Sequence, residues 1–372
     1  MLQFGDIVGE VAERHRFAAS LGDGRGENRA IGIVDATGPQ RIAERELRIT
    51  TSIGITMYQN DNSDTQMLLK NADIAMYQAK EYGRNNFKFF HEQMHADLME
   101  YHELERDIRE ALHQGQFHLA YQPKVNIRIN QLQGLEALLR WNSPTRGNVS
   151  PGNFIPVAEE SGHIIPLGYW VLNEVCLTLR SWQDKGLTLV PVSVNVSARQ
   201  FQQPDFHKRV AEVLRKHSID PSLIEIELTE GLVMEDIDSA QRELAQLKKI
   251  GLRISIDDFG TGYSCLSYLR RFPIDVLKID KSFVQEIGGS RDGESIIDAI
   301  ISLAKSLRLE TVAEGVETAA QLHYLLDHGC HVVQGFLFGK PMEMHLIEPL
   351  LAALEQGGTD STAVVRALKG FG

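Results

Sequence analysis

Beyond residue 115 the chain repeats one unit: a short apolar run ending in a polar residue, followed by a segment of helical period. The runs end at Tyr121–Pro123, Glu136, Asn195, Glu227, Asp257–Asp258, Lys278, Glu314 and Gln334. Between them, segments such as Asp205 to His217, Asp238 to Ile250, Glu294 to Leu307 and Thr318 to His328 place apolar residues at steps of three and four. Eight strand-like runs alternating with helices over about 240 residues predict an α/β fold of the (β/α)8, TIM-type barrel class. An open doubly wound sheet would carry a Gly-rich phosphate loop after an early strand, and none occurs here.

The chain upstream has a different character. Met1 to about Arg48 shows no sustained period and holds five glycines between Gly22 and Gly38, so no element is predicted there. Ile49 to Tyr58 is β-branched and reads as a strand. Leu68, Ala72, Met76 and Ala79 recur at helical spacing, with Gly83 as C-cap, and Asn86 to Phe90 is a second short strand. Glu92 to about Gln114 reads as a connecting helix. The resulting division is an incomplete α+β region over 1–90, a linker helix over 91–103, the barrel over 104–356 and a tail over 357–372.

Composition narrows the function classes. A length of 372 residues suits two to three domains. A net charge of −12 argues against a broad basic surface for polymeric nucleic acid, without excluding a small anionic substrate held by cations. The three cysteines, Cys176, Cys265 and Cys330, form neither a disulfide framework nor a CxxC knuckle, which fits a reducing cytoplasm. No run reaches 18 apolar residues and no secretory leader follows Met1, so neither a membrane span nor simple export is expected.

In a barrel, residues at the C-terminal strand ends converge on one face. Here they are mostly carboxylates and amides: Glu136 in GLEALLRW, Asn195 in VSVNVSA, Glu227 in IEIELTE, Asp257 and Asp258 in ISIDDFGTGYS, Lys278 in VLKIDK, Glu314 in VAEGVE and Gln334 in VVQGF. Any one of these carboxylates, taken alone, reads equally as a solvated residue or a helix cap. Five carboxylates and an amide on one face would repel unless cations lay between them. An all-oxygen set suits Mg²⁺ or Mn²⁺ rather than zinc. Asp257 and Asp258 are either a solvated turn or, where the backbone turns into FGTG, two ligands of one site. One of them could then bridge two metals. Lys278 is open to three readings: a Schiff-base lysine, an ion-pair partner, or a group acting on water and phosphate. Acidic neighbours favour its protonated form and count against the first. Gln122 and Arg140 offer donors to a phosphate or a base edge.

From about Leu104 to Leu354 the chain resembles the EAL family of cyclic-di-GMP phosphodiesterases. Glu136-Ala137-Leu138 stands within EALLRW. NVSA, ELTE, DDFGTGYS, KID, EGVE and QGF follow in family order. The resemblance implies a barrel whose first strand runs antiparallel to the rest. It implies hydrolysis of cyclic-di-GMP to linear 5′-pGpG with a two-metal Mg²⁺ or Mn²⁺ site, in bacterial signalling. In those terms Glu136, Asn195, Glu227 and Asp257 hold one metal, with Asp257 and Asp258 reaching the second. Lys278 and Glu314 position or activate the water beside Glu136, and Gln334 orients the site. Glu230 anchors the DDFGTGYS loop, which the family links to homodimerisation. Gln122, Pro123, Arg140 and Asp258 stand at substrate-contacting positions. The alternative is a non-catalytic cyclic-di-GMP receptor, which would usually show losses at Glu136, Asp257 or Lys278, and none is seen. A lysine-dependent aldolase on the same barrel is a third reading.

The upstream region resembles only the C-terminal part of a GGDEF, or diguanylate cyclase, domain, through ITTSIGIT, NADIAMYQAK and YGRNNF. The Gly-Gly-Asp/Glu-Glu-Phe turn is missing. The nearest text, Leu21 to Glu27, lacks it, and the family's upstream metal-binding half would lie before Met1. The resemblance therefore implies a degenerate region without cyclase activity.

Overall fold

The structure, a computed structural model, describes residues 16–22, 29–36, 51–58, 64–81, 85–261, 269–289 and 291–356. It divides into two units, Met1–Arg106 and Asp107–Gly372.

In the first unit, β1 (Arg16–Gly22), β2 (Arg29–Ala36) and β3 (Thr51–Tyr58) pair antiparallel in that order. Helix α1 (Thr65–Glu81) then returns the chain so that β4 (Phe87–Phe89) pairs parallel to β3. The predicted strands and helix are thus present within one to three residues of their expected ends. Gly83, the expected C-cap, lies outside the described residues, as does most of Leu21 to Glu27. The hairpin β1–β2 departs from the sequence expectation. Its order comes from a continuous ladder on β3, Arg29 opposite Tyr58 through Ala36 opposite Thr51, a non-local pairing that leaves no local period. Helix α1 lies close on β3: a Cβ at Gly54 would stand 2.0 Å from the Ala72 carbonyl oxygen. Ala72, Ala75 and Ala79 are fully buried. The connecting helix α2 (Gln93–Gln114) agrees with the sequence reading.

In the second unit, β5 (Phe117–Asn126) and β6 (Gln131–Ser143) form a hairpin, because the four residues between them permit only antiparallel pairing. The chain continues through β7 (Gly147–Val149), α3 (Pro151–Ser161), α4 (Ile164–Asp184), β8 (Val192–Asn195), α5 (Ala198–Phe201), α6 (Phe206–His217), β9 (Ile224–Thr229), α7 (Glu230–Glu235) and α8 (Ile237–Ile250). It ends with β10 (Arg253–Phe259), β11 (Val276–Ile279), α9 (Lys281–Gln285), α10 (Arg291–Leu307), β12 (Glu310–Ala313), α11 (Ala319–His328), β13 (Val332–Gln334), β14 (Met342–Glu343) and α12 (Met344–Gln356). Helix ends follow local chemistry. The Thr318 hydroxyl accepts from the Gln321 amide while the Gln321 side chain accepts from Thr318, which starts α11.

Strands β6, β8, β9, β10, β11, β12 and β13 pair parallel in sequence, and β5 closes the ring antiparallel to both β13 and β6. This is the expected eight-stranded barrel with an antiparallel first strand. The strands alternate rather than reading as continuous apolar runs. Leu135, Val194, Ile226, Leu228, Ile254, Ile256, Leu277, Ile279, Ala313 and Val333 join one buried apolar core with residues of the helices, such as Val175, Leu214, Leu244 and Ala304. The residues between them, including Glu136, Ser193, Glu225, Glu227, Asp257, Lys278 and Gln334, are buried polar groups. One half of each strand therefore packs under the helices, and the other half lines the lumen with these polar groups and with a small apolar cluster of Val276, Val312 and Val332.

Candidate active site

Each site residue is placed by this alternation and by register. Antiparallel pairing sets Gln122 opposite Glu136, and parallel pairing sets Asn195 beside Glu227 and Lys278 beside Val312. Asn195 and Gln334 end their strands and Glu314 follows β12 directly, as the sequence reading expects. Tyr121–Pro123 and Glu136 depart from it, because they lie mid-strand in β5 and β6. The barrel pairing of β6 with β8 stops at Ala137, after which β6 runs on beside β5 and β7. Glu136 is thus at the rim of the barrel although not at the end of its strand.

Lys278 is the centre of the arrangement and is fully buried. Its Nζ donates to Glu227 Oε2 at 2.9 Å and Asp257 Oδ2 at 3.0 Å, and pairs with Glu314 Oε1 at 2.6 Å. Burial alone would push its pKa down, but Glu136, Glu227, Glu314 and Asp257 hold it protonated, far above the ordinary lysine value. Glu136 is linked sideways: Asn195 Nδ2 donates to its Oε1 at 2.7 Å, and Gln334 Nε2 donates to its Oε2. The same Gln334 Nε2 lies 2.9 Å from Gln122 Oε1, and Gln122 Nε2 donates to the Gly339 carbonyl at 3.0 Å. Burial would raise the Glu136 pKa, yet Lys278 and Lys124 bring it below the usual glutamate value.

Asp257 and Asp258 lie within a register shift between β10 and β11, where Ile256 faces Leu277 and Phe259, three residues on, faces Ile279, only two residues on. Asp258 has φ +53°, so this bulge turns consecutive carboxylates away from simple alternation. Burial, the Asp257 charge and a hydrogen bond with Asp280 push Asp258 up to about 6. Glu314 goes further, to about 8, because burial and the charges of Asp257 and Glu136 outweigh Lys278. The mouth therefore gathers more carboxylate than one lysine balances.

Glu230 begins α7, is buried, and its Oε2 accepts the Gly260 amide at 3.0 Å. It thus holds the DDFGTGYS segment near its start; the last three residues of that segment, 262–264, lie outside the described residues. Two expected site residues stand apart from the hydrogen-bonded cluster. Pro123 is buried mid-strand, where a Cβ on Gly339 would come within 3.2 Å of its Cγ. The Arg140 guanidinium donates to the Leu139 carbonyl, and only the charge of Glu136 ties it to the cluster.

The donor chemistry fits hard cations: Glu136, Asn195, Glu227, Asp257 and Asp258 offer only oxygen ligands. Gln334 Oε1 is buried without a hydrogen-bond partner, which leaves an acceptor to spare at the same place. Among the described residues no three Asp, Glu, His or Cys side chains converge directly on one point. The Lys278 ammonium stands between three of the carboxylates instead, supplying positive charge where a cation would supply it.

The sequence reading missed Lys124, Ser193, Glu225, Arg253 and Glu310. Lys124 Nζ lies 3.0 Å from Glu225 Oε1 and 2.6 Å from Glu227 Oε1. Arg253 bridges Glu225 at 3.1 Å and Glu310 at 2.6 Å. The signal was the same alternation followed toward the strand starts, where Glu225 and Ser193 precede Glu227 and Asn195 by two residues.

Gly335 fixes the Gln334 end of the site. A Cβ there would stand 2.1 Å from the Val316 carbonyl oxygen and 2.3 Å from its amide nitrogen, so backbone rather than a yielding side chain opposes it. Gly335→Ala is expected to cost about 3 kcal/mol or more. Chemical denaturation checks this, and a midpoint equal to the parent's would contradict the close approach.

Residues 105–341 match the family described as the EAL domain. The chain belongs to the EAL domain family. Residues 29–86 match the GGDEF domain of diguanylate cyclases. The bifunctional diguanylate cyclase/cyclic di-GMP phosphodiesterase MucR of Pseudomonas aeruginosa is 45% identical over 316 residues, covering 85% of this chain and 46% of that protein. The cyclic di-GMP phosphodiesterase PdeR of Escherichia coli is 41% identical over 304 residues, covering 82% and 46%. The chain thus spans less than half the length of these curated relatives. Among solved structures, the MucR phosphodiesterase in complex with c-di-GMP superposes with a TM-score of 0.64 at 44% identity, over 66% of this chain and 99% of that one. The EAL enzyme Bd1971 with cAMP and cyclic-di-GMP gives 0.66 at 31% identity, over 82% of each. No described helix of the EAL domain or the region before it is long and apolar enough to cross a membrane.

Proposed function

We propose that the barrel hydrolyses cyclic-di-GMP to linear 5′-pGpG, using Mg²⁺ or Mn²⁺ in a two-metal site. The observation that carries this reading is the ring of Glu136, Glu227, Asp257 and Glu314 closed around one fully buried lysine. The relatives named for this activity support it. Glu136, Asn195, Glu227 and Asp257 would hold one cation, with Asp257 and Asp258 reaching the other. When bound, the cations supply charge neutralisation at the phosphodiester and acidify the attacking water.

The chain's own groups do the rest. Lys278, held protonated, fixes Glu227, Asp257 and Glu314 around the place where the water is positioned and supplies positive charge that stabilises the charge growing on the phosphate. Glu314 has a carboxyl whose affinity for protons lies near neutrality, the range suited to taking a proton from water. The water oxygen bonds to phosphorus, the P–O3′ bond breaks, and the proton passes to the leaving O3′. The chain of hydrogen bonds from Gly339 through Gln122 and Gln334 holds Glu136 in one orientation. Gln122, Pro123, Arg140 and Asp258 line the substrate's approach, and Glu230 secures the loop through which two EAL domains would pair. On this reading residues 1–90 form a degenerate GGDEF region without cyclase activity, 91–103 a linker, 104–356 the phosphodiesterase and 357–372 a tail, in the bacterial cytoplasm.

Chromatography of cyclic-di-GMP incubated with Mg²⁺, with Mn²⁺ and with EDTA tests this. Linear pGpG is expected with either metal and none with EDTA. Intact nucleotide in every arm would overturn the reading. Tight binding without turnover would then leave the receptor alternative.

A further inference from the structure

The barrel holds a second buried lysine. Lys124 belongs to β5, whose ring neighbours are β6 and β13, yet its side chain crosses the lumen to residues on β8 and β9. Its Nζ donates to Ser193 Oγ, to Glu225 Oε1 and to Glu227 Oε1, and only 5% of its side chain is exposed. Glu227 is thereby gripped at both oxygens, Oε1 by Lys124 at 2.6 Å and Oε2 by Lys278 at 2.9 Å. The two grips differ in kind. Lys278 sits among the mouth carboxylates, whereas Lys124 is anchored on the far side through Glu225, which is itself held by Arg253 and, through Arg253, by Glu310.

We propose that Lys124 is a positioning residue for Glu227, holding Oε1 within the lumen so that Oε2 alone is presented to the mouth and to a divalent cation bound there. The proposal rests on the reading of Glu227 as a metal ligand. Partners behind a ligating carboxylate fix its orientation, and their loss typically weakens metal binding by about 10–100-fold. Without Lys124 the Glu227 carboxylate is free to rotate toward Lys278 with either oxygen, or to relax away from the mouth.

A simple Lys124→Met change also leaves two buried carboxylates with one cation fewer, Glu225 with Arg253 alone and Glu227 with Lys278 alone, so its loss of stability would say little. The deciding variant is Lys124→Met combined with Glu225→Gln, which removes one positive and one negative group together and leaves Glu227 charged. Three quantities are measured on the full chain: the metal-free melting midpoint, the Mn²⁺ dissociation constant by paramagnetic resonance, and kcat and KM for cyclic-di-GMP. The double variant is expected to recover the midpoint lost by the single one. Its Mn²⁺ affinity should remain at least 10-fold weaker than the parent's, and kcat at least 10-fold lower, with KM changed by less than about 3-fold. Recovery of midpoint, Mn²⁺ affinity and kcat together would show Lys124 to be a charge balance only and overturn the proposal. Failure of the parent chain to turn over cyclic-di-GMP with metal would instead overturn the phosphodiesterase reading, and this proposal with it.

Discussion

Glu136→Ala is expected to lower turnover of cyclic-di-GMP by at least about 10³-fold, equivalent to about 4 kcal/mol of lost transition-state stabilisation. The carboxylate meets two demands at once. It is a proposed metal ligand, and it is the acceptor on which Asn195 Nδ2 and Gln334 Nε2 converge. Alanine removes the ligand, takes from Asn195 Nδ2 its acceptor and leaves Gln334 Nε2 with Gln122 alone, so the neighbouring donors are held less firmly as well. The fold should survive. Glu136 lies on the barrel's polar lining rather than in the apolar core, and two lost hydrogen bonds cost on the order of 1–3 kcal/mol. Equilibrium unfolding and steady-state kinetics on the same preparation separate the two effects. A variant that keeps the parent's rate would remove Glu136 from the site.

Lys278→Met is the second large expectation, and it acts on stability and chemistry together. The side chain is fully buried and is the cation that Glu227, Asp257 and Glu314 share. Methionine fills similar volume but leaves Asp257 and Glu314 without that cation and Glu227 with Lys124 alone, a change that typically costs about 3–5 kcal/mol. The pH dependence follows. Without Lys278 the folded-state pKa of Glu314, already pushed up to about 8 by burial, rises further above its unfolded value. A carboxyl with a raised folded pKa destabilises the fold above that pKa, and the penalty fades as pH falls through it. The deficit of the variant against the parent should therefore be largest above pH 8, where Glu314 with its value near 8 would ionise even beside Lys278, and shrink toward pH 5. Turnover should fall by about 10²–10³-fold. Nucleotide affinity, by titration, should change far less. Equal losses in turnover and affinity would make Lys278 a binding residue and end its role in the chemical step.

Much of the barrel and its mouth is legible in the amino-acid sequence. The alternation in IEIELTE and VLKID carries a period of two, and the intervening segments carry a period near 3.6, so a barrel with one polar and one apolar strand face follows. Glu227 and Lys278 stand out because they close apolar runs. Glu225 and Lys124 do not, although they obey the same alternation. Nothing local separates a charged residue at the start of a lumen-facing series from a solvated one. Glu136 reads as a strand end because the barrel pairing of β6 stops at Ala137, whereas the strand itself continues along β5.

The amino-acid sequence by itself determined the strand and helix order, the four-residue link that makes β5 antiparallel, the cap that starts α11, and the ordered motifs of the EAL domain. These depend on neighbours within a few residues, where side-chain period and backbone chemistry act directly. Tertiary structure decided which strand face became the lumen, since alternation assigns residues to two faces without saying which one the helices will cover. It also decided that a lysine from the antiparallel strand and another from β11 would grip the two oxygens of one glutamate. Burial did the last part of the work: it pushes Glu314 up to about 8, whereas Lys278 and Lys124 together bring the buried Glu136 below the usual glutamate value.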